Sequence, residues 1–63
     1  MIFYVIKKEN KYLQYSPFGF GYKWVDTIAR ATQFEDRKIA ETCCSDGAKV
    51  FMVMVEEFDL NAN

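Results

Sequence analysis

The chain has 63 residues and a mass of 7.4 kDa, enough for one domain spanning residues 1–63 and no more. Hydrophobic residues make up 51% and charged residues 27%, the balance of a globular chain rather than a disordered one. The net charge is −1, too near neutral for a domain that grips phosphates by charge, and the absence of histidine excludes a Ser-His-Asp triad, a metalloprotease helix and a Cys/His zinc finger.

Ile2 to Ile6 is β-branched and aromatic, which predicts a first strand. Lys8-Glu9-Asn10 is a polar break, and Lys11 to Tyr15 alternates polar with apolar until Tyr15. A β-hairpin closed at residues 8–10 is the natural connection. Ser16-Pro17 stops the second strand. Phe18-Gly19-Phe20-Gly21-Tyr22 then places an aromatic ring at every second position, so that in a strand the three rings line one face. Tyr22 to Val25 reads as a short third strand.

Asp26, with Thr27 as its rival, caps a helical turn through Ile28, Ala29 and Ala31, and Phe34 closes that unit. Asp36 is the expected cap of the main helix. Ile39, Ala40, Cys43 and Cys44 form one apolar stripe on it, and Ser45-Asp46-Gly47 stops it. Ala48 to Val55 is the clearest strand, with six consecutive apolar residues from Val50 to Val55. Such a run is expected to be buried on both faces, either central in the sheet or paired with the first strand. Glu56 to Leu60 can extend it. One short helix is too little to cover both faces, so the second must be covered by the Phe18–Trp24 segment with the 27–31 turn, by a second copy or by another partner.

Chemistry-bearing constellations are sparse. Cys43 and Cys44 are adjacent, so they point in different directions and make neither two legs of a zinc site nor a good disulfide. They read as small buried apolar residues in a reducing compartment. The six apolar residues before Lys7 are too few for a signal peptide, and no stretch reaches the length of a membrane span, so a cytoplasmic location is expected. Gly19 and Gly21 lack the third glycine and the Gly-Lys-Ser/Thr of a phosphate loop. No nucleophile has a base beside it. The expectation is therefore no enzyme, no cofactor, no metal and no membrane.

The informative cluster is Tyr15, Phe18, Phe20, Tyr22, Lys23 and Trp24. Tyrosine and tryptophan are the residues most enriched at protein interfaces, so these six are the expected partner-binding surface. The same rings could stack bases of single-stranded nucleic acid, although the basic groove beside them is thin.

The whole chain resembles small proteins encoded by phages and prophages. The likeness rests on the opening strand Phe3-Tyr4-Val5-Ile6-Lys7 and the hairpin ending near Lys11-Tyr12-Leu13. It continues through Trp24-Val25-Asp26, Ala29 or Ala31, Phe34, Ala40 six residues later, and the valine-rich strand from Ala48 to Val55. Two features depart from the pattern: the aromatic density of Phe18–Tyr22, and Cys43-Cys44 late in the helix. The resemblance implies a protein that binds and blocks a host protein, CRISPR-type and other defence nucleases among them. The expected fold is α+β, a small antiparallel sheet of three or four strands with one main helix packed on one face. The expected function is non-catalytic modulation or inhibition of a host protein, with a homodimer as a further expectation. The alternatives are a single-stranded nucleic-acid-binding module and a purely structural dimerisation module.

Overall fold

A computed structural model of the chain describes residues 1–16, 21–56 and 59–61. It is an α+β fold: strands β1 (Ile2–Lys8), β2 (Lys11–Tyr15) and β3 (Tyr22–Val25), a 3-10 turn (Ile28–Arg30), helix α1 (Arg37–Cys43) and strand β4 (Lys49–Met54). The four strands form one antiparallel sheet in the order β3-β2-β1-β4.

Glu9 and Asn10 close the β1–β2 hairpin between the paired residues Lys8 and Lys11. Glu9 takes a left-handed φ of 57°, which glycine would adopt without a Cβ clash. Asp36 caps α1 as expected, its carboxylate accepting from the Lys38 N–H at 2.8 Å. Thr27, not Asp26, holds the cap position of the 3-10 turn, and without a side-chain hydrogen bond. Asp26 is drawn instead to Lys11, 2.8 Å away. α1 ends at Cys43, before the Ser45-Asp46-Gly47 stop, and Gly47 takes a left-handed φ of 83°.

Strand register divides the side chains between two faces, because residues paired across antiparallel strands share a side. Phe3, Val5, Lys7, Tyr12, Val25, Phe51 and Val53 lie on one face. Tyr4, Ile6, Leu13, Tyr15, Trp24, Val50 and Met52 lie on the other. Consecutive residues Val5 and Ile6 are both fully buried, so β1 is covered on both sides at its centre. Each such side chain contributes about 1.5–3 kcal/mol relative to exposure.

The two faces have different covers. On the Ile6 face sits α1, which packs on β1 and β4 through the fully buried Ala40, and its Arg37 lines a cavity with Tyr4, Val50 and Met52. On the Val5 face, Ala31 joins Phe3 and Val5 in a cluster flanked by Tyr12 and Val53. Gln14 holds the turn there, its Nε2 donating to the Arg30 carbonyl at 2.7 Å. The 27–31 turn thus supplies part of the second cover. The Phe18–Phe20 part of the expected cover lies outside the described residues.

Two expectations need correction. β4 pairs with β1, as one of the two placements had it, but it is an edge strand and is not buried on both faces. Phe51 is 45% exposed on one face, and Met52 and Met54 are 57% and 65% exposed on the other. The seven-residue α1 touches β4 without covering these side chains, and the 27–31 turn lies toward β2. On α1, Ala40 is buried and Cys43 and Cys44 are half-buried, but Ile39 is 55% exposed. It lies one residue, or about 100° of helix, away from the docked Ala40.

Candidate functional site

Four rings form a continuous row on the α1 side of the sheet. Phe34, Tyr15, Tyr22 and Trp24 meet in sequence at centroid separations of 6.4, 6.0 and 6.3 Å, each pair edge to face. Such T-shaped contacts set the positive edge of one ring against the negative face of the next. Strand pairing builds the row: Tyr15 stands opposite Tyr22 and Leu13 opposite Trp24 across β2 and β3. Tyr22, near the sheet edge, is 60% exposed, while Trp24 is half-buried.

Of the six residues expected to bind a partner, Tyr15, Tyr22 and Trp24 come together in this row. Lys23 does not join them: it pairs with Gln14, and β-strand alternation sends it to the opposite face. Phe18 and Phe20 lie outside the described residues. The sequence reading did not place Phe34 in the row. No local pattern marks it, since Ala31-Thr32-Gln33-Phe34 does not alternate; its backbone exchange with Tyr4 lays it along the sheet rather than closing a helical unit.

Tyr15, the second ring of the row, lies against the helix. The neighbouring Cys43 thiol, then partial burial, then the nearby Tyr22 hold the Tyr15 phenol above its ordinary pKa. At the near end, Lys8, Glu9, Lys11 and Trp24 surround a shallow depression. The Lys11 ammonium there is committed to Asp26. Its hydrogen bond and charge, with Arg30 adding to them, hold the Asp26 carboxyl below the usual aspartate range.

The opposite face carries a second arrangement. Lys7 stands directly opposite Lys49 in the β1–β4 register. The Lys7 ammonium lies 5.3 Å from the centre of the Tyr12 ring and 5.8 Å from that of Phe51, so aromatic faces on the two flanking strands receive it. Among the described residues no acidic side chain pairs with Lys7 or Lys49.

Among the described residues, no group of three or more His, Cys, Asp or Glu side chains is placed to hold a metal ion, and no helix is long and apolar enough to cross a membrane. No family model matches the chain, and comparison with curated proteins and with solved structures finds no match either.

Proposed function

We propose that this chain is a non-catalytic accessory protein that binds a host protein and modulates or inhibits it. The observation that carries the reading is the ring row Tyr15–Tyr22–Trp24, presented on one face and open at Tyr22. Rings held by one another lose little freedom on binding and offer large apolar area with a polar tip, the properties of interface anchors. The resemblance to small phage proteins supplies the setting: a target in the host cytoplasm, with a CRISPR-type defence nuclease as the class to try first.

The single-stranded nucleic-acid reading uses the same rings but needs free cations beside them. Lys23 faces the other way and Lys11 is paired with Asp26, which leaves Lys8 by Trp24 as a thin basic surface, so the protein-partner reading is favoured.

The test is affinity capture from a lysate of the bacterial host, with wild-type and Tyr22→Ala chains immobilised side by side. A protein retained by the wild type and lost on Tyr22→Ala is the expected result. Retention of nucleic acid that falls steeply with salt would replace this reading with the nucleic-acid one. Equal retention of a protein by both chains would move the binding surface away from the rings.

A further inference from the structure

The two edges of the sheet are unlike. β3 is four residues long and carries Lys23 at its middle, a protected edge of the kind that resists pairing with another chain. β4 is six residues long, carries neither proline nor glycine, and bears its one charge, Lys49, at its first position.

The outward backbone groups of β4 can be identified. Met1 and Val55 exchange hydrogen bonds, the Val55 N–H donating to the Met1 carbonyl at 2.8 Å and the Met1 amino group to the Val55 carbonyl at 3.2 Å. Antiparallel ladders alternate, so Val53 and Phe51 also face β1, while Met54, Met52 and Val50 turn their N–H and C=O outward. The opposite side of β1 agrees: Tyr4, directly opposite Met52, sends both its backbone groups away from β4 to Phe34. Among the described residues, nothing pairs with the outward groups of Val50, Met52 and Met54.

We infer that β4 pairs antiparallel with β4 of a second copy about a two-fold axis at Met52, joining the two four-stranded sheets into one. Such an interface is isologous, so each feature must complement itself. β4 meets that condition in three ways. Backbone: with Met52 opposite Met52, Val50 falls opposite Met54, and each of the six residues, three per copy, uses both of its outward groups. Apolar contacts: Met52 and Met54 meet on one face and Phe51 meets Val53 on the other, covering side chains that the monomer leaves exposed. Charge: the strand is basic where it begins, at Lys49, and is followed by Glu56 where it ends. Antiparallel pairing sets each copy's Lys49 beside the acidic end of the other. With Met52 opposite Met52, Lys49 stands opposite Val55 and next to Glu56 of the other copy, whereas a parallel arrangement would stack like charges.

The occupant is a second copy of this chain, and the site lies at the sheet edge, apart from the ring row of the proposed function. The experiment is solution mass by light scattering after size exclusion, on the full chain over a concentration series at low salt. The expected mass is twice the 7.4 kDa of one chain. Met52→Pro removes one outward N–H and leaves the ladder to β1 unchanged, so it should give a folded monomer by circular dichroism. Lys49→Glu and Glu56→Lys each place like charges at both ends of the interface and should raise the dimer dissociation constant about tenfold or more. Mixing those two variants should restore pairing as a heterodimer, a result independent of whether Met52→Pro folds. A wild type that stays monomeric at millimolar concentration overturns the inference. So does a dimer that a folded Met52→Pro leaves intact, or a mixture of the two charge variants that pairs no better than either alone.

Discussion

Tyr4 and Phe34 exchange both of their backbone hydrogen bonds, each at 2.8 Å, and so wedge the 32–34 segment between β1 and β2. β1 and β2 pair directly only near the hairpin, at Lys7–Tyr12 and Lys8–Lys11, and separate beyond it. Thr32 ties the wedge to β2, its N–H donating to the Leu13 carbonyl at 3.0 Å and its Oγ1 accepting from the Tyr15 N–H at 2.8 Å. The wedge is what brings Phe34 to Tyr15 and starts the ring row.

Thr32→Val keeps the shape and the backbone bond but removes the acceptor for Tyr15. Stability in urea unfolding should fall by about 1 kcal/mol. Thr32→Ser should recover most of the loss. An unchanged Thr32→Val would mean that water serves the Tyr15 N–H without penalty.

Glu9 occupies a left-handed position at the hairpin turn. Glu9→Gly relieves the Cβ clash and should stabilise the chain, by about 0.5–1 kcal/mol once the greater freedom of glycine in the unfolded chain is counted. A fall in melting temperature instead would show that the Glu9 side chain makes a contribution that its backbone geometry hides.

Ala40 is fully buried between α1 and the sheet, whereas the neighbouring Ile39 is exposed. Ala40→Leu overfills that contact and should cost about 1–3 kcal/mol. Ile39→Gln should change stability by less than about 0.5 kcal/mol. Urea melts of the two variants should therefore separate clearly. Reversed magnitudes would mean that α1 docks through the Ile39 face.

Asp26 titrates below the ordinary aspartate range because Lys11 holds its carboxylate. Its folded pKa lies below its unfolded value, so its contribution to stability is present above the unfolded pKa and is lost as pH falls through the folded one. The carboxylate is solvent-exposed, so the effect on stability is small. The carboxyl shift followed by NMR through an acid titration reads it directly. Lys11→Met should return the midpoint most of the way toward the ordinary range, leaving the small influence of Arg30. No movement would assign the shift elsewhere.

Much of this architecture is determined by the sequence alone, because strands, turns and caps are local. The alternation in Lys11–Tyr15, the polar break at Lys8–Asn10 and the aspartate at 36 before an apolar stripe each act within a few residues, and each element forms where they place it. The alternation of Tyr22, Lys23 and Trp24 already separates Lys23 from the rings, since successive strand residues face opposite sides. Tertiary structure decides which strand lies at the edge. An apolar run such as Val50–Val55 has the same local pattern whether neighbours flank it on both sides or on one, and its exposure follows only from the order β3-β2-β1-β4. The wedge at Thr32–Phe34 is tertiary for the same reason. Its hydrogen bonds go to Tyr4, Leu13 and Tyr15, which lie far away along the chain, and nothing within the segment specifies those partners.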